Sequence, residues 1–239
     1  MKLVLILFLS IKLLFAFELI RKYDATVGLY GNIGQGVVKE LHDKNNYSIK
    51  FTAKPTSFIS DLSGINSIEY KSIGSINAQG LFVPHSFVTI ILEDNKKEKT
   101  SYIYNHVEKY ILKKVHTEEQ VKDETVEALI FGNTEKKHIK ITDKSKKIKY
   151  VPDDYLTLIK NVNFLQKGDI AYLDQNSTDS LHLLSVQKNL FKIKIATKEN
   201  KYFLELQNDI YGLVKAKTLK SLEIGDANLK AIKMKIVFK

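Results

Sequence analysis

The chain has 239 residues, with 37 Lys plus Arg against 27 Asp plus Glu and a formal net charge of +10. A hydrophobic content of 44 %, with 12 Phe and 12 Tyr, excludes a disordered chain, and 11 Gly with only 3 Pro exclude a collagen-like or low-complexity array. With 0 Cys there is no disulfide framework, thiol nucleophile, cysteine zinc site or acylated cysteine, so the fold must rest on a packed core.

Met1 and Lys2 lead into the apolar run Leu3 to Ala16, which Glu18, Arg21 and Lys22 then terminate. A cationic start, an apolar run too short for the roughly 20 residues of a span, and a small residue at its end describe a cleaved secretory signal peptide over 1–16. The expected product is 17–239: one β-rich, periplasmic domain without a transmembrane span, or two lobes dividing near 135–150.

The positive charge is almost wholly lysine, since Arg21 is the only arginine. Sequence-specific nucleic-acid recognition favours the forked guanidinium, so nucleic acid is not an expected partner. Lysines suit loose attraction to an anionic envelope lipid, lipopolysaccharide or another envelope polyanion.

Taken in chain order, period-two alternation dominates. Tyr23 to Tyr30 and Tyr47 to Phe51 read as strands. Between them Gly28, Gly31, Gly34 and Gly36 form the densest glycine cluster. No helix or Lys-Ser/Thr pair follows, so Gly28, Gly31 and Gly34 mark a structural hairpin turn with a bulge rather than a phosphate loop. Ser57 to Leu62, closed by Gly64, suits a short helix. Val83 to Leu92, apolar on both faces, reads as a strand covered on both sides. Thr117-Glu118-Glu119-Gln120 is a candidate helix start.

Glu135 to Lys149 reads as lysine-blunted edge strands and a turn. The clearest helix starts at Pro152-Asp153-Asp154 and carries Tyr155, Leu156, Leu158, Ile159, Val162 and Leu165 on one stripe. Phe191 to Ile195 and Ile232 to Phe238 alternate again. About a dozen strands follow. The predicted fold is mainly β: a strongly curved antiparallel sheet, as an open barrel or spiral, with one or two short helices.

Chemistry-bearing motifs are sparse. The six histidines never fall at metal-ligand spacing, and no cofactor or catalytic residue is expected. Ser185-Val186-Gln187-Lys188 lies in strand-like sequence without the companions a Ser-x-x-Lys enzyme needs. Asn176, in Asp174-Gln175-Asn176-Ser177-Thr178, is a candidate glycosylation acceptor in a polar turn. Phe58, Tyr70, Phe82 and Phe87 are the candidates for an apolar ligand groove on the sheet.

The run Tyr23 to Gly36, the strand Asn46 to Ala53, the Ser57 to Leu62 helix, Gly80-Leu81-Phe82-Val83-Pro84 and the helix start Asp153-Asp154-Tyr155-Leu156 together resemble an uncharacterised family of exported proteobacterial envelope proteins. The resemblance implies a periplasmic curved-sheet protein with a role in envelope maintenance and transfers no catalytic residue. Two functions follow as expectations. One is binding a lipid or other envelope component on the curved sheet. The other is a structural or protein-interaction module with a filled core; an unrecognised hydrolase ranks third.

Overall fold

In the computed structural model the described residues are 17–27, 31–43, 45–122, 137–164, 169–173, 178–187, 192–196, 200–211, 214–226 and 233–238. Residues 1–16, where a signal peptide is expected, Gly28 and Asn176 lie outside them.

The first half is a meander: β1 (Phe17–Val27), β2 (Gly31–His42), β3 (Asn46–Pro55), β4 (Ile65–Ile76), β5 (Phe82–Glu93), β6 (Lys96–Asn105), β7 (Tyr110–Lys122) and β8 (Lys137–Lys149). The second half contributes β9 (Asp169–Leu173), β10 (Thr178–Gln187), β11 (Lys192–Ala196), β12 (Asn200–Tyr211), β13 (Val214–Asp226) and β14 (Lys233–Phe238). They form one antiparallel sheet in the order β8-β7-β6-β5-β4-β3-β2-β1-β14-β13-β12-β11-β10-β9. The two end strands do not pair, so the sheet is not closed into a barrel. Sequence neighbours pair throughout except β8 and β9, which are the two ends, and β1 also meets β14 and thereby joins the halves.

Short polar turns set these pairings. Asp43 Oδ1 accepts from the amides of Asn45 (2.9 Å) and Asn46 (2.7 Å) between β2 and β3. Asn77 Oδ1 accepts from Gln79 and Leu81 before β5. Such Asx turns satisfy amides that no strand reaches. β1 and β2 pair around residues 28–30, which lie outside the described residues: Gly31 opens β2 with φ 68°, and the register between β1 and β2 slips so that Ala25 faces Gly34 while Thr26 faces Asn32. That slip is a bulge, and Asn32 Oδ1 accepts from the Gly34 amide across it at 2.8 Å.

Two short helices accompany the strands, one between β3 and β4 and one after β8. α1 (Ser57–Ser63) ends at Gly64 with φ 69°, as its stop glycine predicts. α2 (Tyr155–Lys160) continues as a 3-10 turn, Asn161–Phe164. Three expectations are corrected. Thr117 to Gln120 belongs to β7, because β6 and β8 pair with it on both sides. Residues 137–149 are a single edge strand with no turn inside it. The outer face of β5 is not covered: Leu92 stays exposed, and Val88 and Ile90 are only half-buried.

One face of the sheet is the interior. Phe87, Tyr102 and Ile111 are fully buried there with Tyr104 and Val151. A line of rings crosses β3 to β6: Phe51 to Tyr70 at 6.0 Å, Tyr70 to Phe87 at 6.1 Å and Phe87 to Tyr102 at 5.9 Å. Each such pair adds about 0.5–1.5 kcal/mol beyond its buried area. Gly74 lets β4 approach β5 and the Tyr47 ring; a Cβ there would lie 2.0 Å from the Val83 carbonyl oxygen.

Candidate functional site

Over β2 to β6 the inner face is covered by residues 150–161. Asp154 caps α2: its Oδ1 accepts from the amides of Leu156 (2.8 Å) and Thr157 (2.9 Å), and Thr157 Oγ1 accepts in return from the Asp154 amide (2.9 Å). This reciprocal capping stabilises a helix that at six residues is too short to persist alone. The other Asp154 oxygen takes the Ser72 hydroxyl of β4 at 2.7 Å, and Ser72 also lies 3.1 Å from the Tyr47 hydroxyl of β3.

The far end of α2 is tied as firmly. The Asn161 side chain reads the Phe82 backbone twice, accepting from its amide and donating to its carbonyl, both at 2.8 Å. It also donates to Asp153 at 2.6 Å. Lys160 Nζ donates to Glu40 of β2 at 2.6 Å, with both side chains buried. His42 lies 3.0 Å from the same carboxylate, and Arg21 of β1 approaches it at 3.8 Å. At the start of the segment, His106 bridges the Tyr150 hydroxyl (2.9 Å) and the Pro84 carbonyl (2.8 Å).

The buried carboxylates Glu40 and Asp154 titrate differently. Burial alone would raise Glu40, but Lys160 and His42 outweigh it and hold the group down at about 2. Asp154 has only neutral donors, so burial wins and pushes it up to about 6. Asp153 is raised by burial as well. These side chains bond to the sheet and to one another, which makes the constellation a structural lock between α2 and the sheet.

The structure brings two of the groove candidates together, Tyr70 and Phe87. Phe87 is at the centre of the core with 0 % exposure. Tyr70 is half-buried in the ring line and also meets Tyr155 of α2 at 5.9 Å. Phe82 packs on Tyr47 (5.0 Å) and edge-on to His42 (5.6 Å) beside the Asn161 clamp. Phe58 stands apart on α1, 60 % exposed.

The outer face has a different character. Lys39, Lys50 and Lys71 sit directly opposite one another on β2, β3 and β4, and the same row continues through Val88 and Ser101 to Lys114. The next row runs Leu41, Ser48, Ile73, Ser86, Ile103, Leu112, with Leu41, Ile73 and Ile103 exposed. Glu18 pairs with Lys39, and Glu69 with Lys50 at 2.7 Å; among the described residues Lys71, Lys99 and Lys114 have no carboxylate partner. A shallow open depression of about 520 Å³ lies at the β6–β8 end, bordered by Lys99, Lys114 and His116. His116 is held between Asp143 (2.8 Å) and Glu118 (3.2 Å), hydrogen bonds that raise its pKa.

Sequence reasoning missed Glu40, Lys160, Ser72 and Asn161. One signal was available: Glu40 shares the alternation parity of Val38 in β2, which places a carboxylate on the inner face and calls for a cation. Arg21, the single arginine, follows the same logic in β1. Nothing local in Lys160 reveals that it turns inward.

No helix among the described residues is long and apolar enough to cross a membrane, and no group of His, Asp and Glu among them could hold a metal ion. Comparison of the chain with family models, with curated proteins and with solved structures finds no match.

Proposed function

We propose that the chain is an exported, periplasmic, non-enzymatic protein that serves envelope maintenance as an interaction module, acting through the outside of its sheet rather than enclosing a ligand. One observation carries this reading: the space on the inner face where an acyl chain would lie is filled by the chain's own residues 150–161, over the fully buried Phe87 and Tyr102. An apolar ligand site needs an open concave surface lined by such side chains. Here the rings meet each other and α2 instead. The export half of the proposal rests on the pattern of residues 1–16.

The test is a pair of mass spectra, native and denaturing, of protein purified from an envelope extract without detergent. The expected result is a single unliganded mass beginning at Phe17. An additional mass that leaves on denaturation would overturn the filled-interior reading, and a mass that retains Met1 would overturn the cleaved signal peptide.

A further inference from the structure

We propose that the outer face of β2 to β7 is a docking surface for an anionic phospholipid bilayer, with the lysine row held at the headgroups and the neighbouring apolar row seated against them. This rests on the interaction-module reading and names its partner.

Like charges directly opposite on adjacent strands destabilise a sheet. Lys39, Lys50 and Lys71 are nevertheless in register across three neighbouring strands. Lysines commonly blunt exposed sheet edges, but that reason does not apply here, because β2, β3 and β4 are interior strands. Glu18 and Glu69 relieve only part of the repulsion. Lys71 and Lys114 remain for an external anion.

The second step is the pattern beside the charges. The row Leu41, Ile73, Ile103 has serines at the intervening strands, so exposed aliphatic side chains recur on every second strand. With strands about 4.8 Å apart, this row extends over roughly 20–25 Å, and it lies about 7 Å from the lysine row. Apolar and cationic side chains interleaved at that spacing are the composition of a surface that lies in the bilayer interface.

The third step separates a bilayer from a defined polyanion. Recognition of an individual phosphate favours the bidentate guanidinium. The only arginine, Arg21, is buried on the opposite face beside Glu40. The outer face presents point charges alone, which suit a diffuse field of headgroups.

The test is co-sedimentation of the full chain with phosphatidylcholine vesicles, with and without about 30 % phosphatidylglycerol, at low and high salt. The expected result is salt-sensitive binding to the anionic vesicles only. Lys71→Gln with Lys114→Gln should weaken it about 25-fold, from roughly fivefold per lysine at a charged membrane surface. Ile73→Ser with Ile103→Ser should weaken it further without removing the salt dependence. Matching urea midpoints of variants and wild type show that folding is not the cause, and Lys99→Gln provides a second charge variant if either lysine pair fails to fold. Equal retention on both vesicle types, no retention on either, or lysine variants that bind like wild type would each overturn the proposal. A small molecule found in the interior would overturn the filled-interior reading instead and leave the vesicle result standing.

Discussion

The two helices are nearly equal in length and opposite in circumstance. α1 follows β3 with no buried residue, no side-chain cap, and Phe58 and Leu62 in solvent. α2 is one residue shorter, yet it has a capping box, three buried residues and side-chain ties to β2, β4 and β5. Neither length sustains a helix alone. The difference teaches that α2 exists because the sheet holds it, whereas α1 is a local turn closed by Gly64. It also divides the molecule: the inner face is satisfied by its own chain, and the outer face is left with charges and aliphatics to offer elsewhere.

The largest expected effect comes from cutting the tie at the end of α2. Lys160→Met leaves Glu40 buried with a worse set of partners, and breaking a buried pair in this way costs about 3–5 kcal/mol. The urea midpoint should fall accordingly. Adding Glu40→Gln should recover much of the loss, since the uncompensated charge is then gone. Substituting Lys71 on the outer face should move the midpoint by no more than about 0.5 kcal/mol.

A smaller contrast uses the two helices directly. Asp154→Ala removes a cap worth about 1 kcal/mol and takes one of the buried Ser72 hydroxyl's two partners, leaving Tyr47, for about 0.5–1.5 kcal/mol more. Phe58→Ala on α1 should lie within about 0.5 kcal/mol of wild type, because that ring is mostly exposed. Urea unfolding of the two variants side by side reads the difference.

The pH dependence sharpens the comparison between the buried carboxylates Glu40 and Asp154. Glu40 has its folded pKa depressed from 4.5 to about 2, so its contribution is present above 4.5 and is lost as pH falls towards 2. Asp154 is raised from 3.8 to about 6, so its contribution is full below 3.8 and is lost as pH rises through 6. The stability gap between wild type and Asp154→Asn should therefore shift against wild type between about pH 4 and pH 6, then level off. Lys160→Met should flatten the acid limb between about pH 4.5 and pH 2 instead. A wild-type midpoint that does not vary between pH 4 and pH 6 would contradict the assignment of Asp154.

Much of the fold was legible in the sequence, because period-two alternation and Gly, Asn and Asp turns are local signals. The glycine bulge at Gly31 and Gly34, the helix stopped at Gly64 and the edge character of β8 all follow from residues within a few positions of each other. The locking site was not legible. Lys160 meets Glu40 across 120 positions, and Ser72 meets Asp154 across 82. α2 also ended earlier than its apolar stripe suggested, because Asn161 spends its side chain on the Phe82 backbone and the chain tightens into a 3-10 turn. Where the four aromatic candidates lie was not legible for a related reason. Alternation assigns a ring to a face, but it does not say whether another part of the chain already fills that face.

The central claim is that residues 150–161 are a fixed part of the interior. Native-state hydrogen exchange on the amides of Leu156, Thr157 and Leu158, compared with Ser60 and Gly64 of the α1 region, tests it most directly. The account predicts that the α2 amides open only with global unfolding, while those of α1 exchange by local fraying. Exchange of the α2 amides as fast as those of α1 would show a segment that leaves the sheet, and the filled interior on which the functional reading depends would be contradicted.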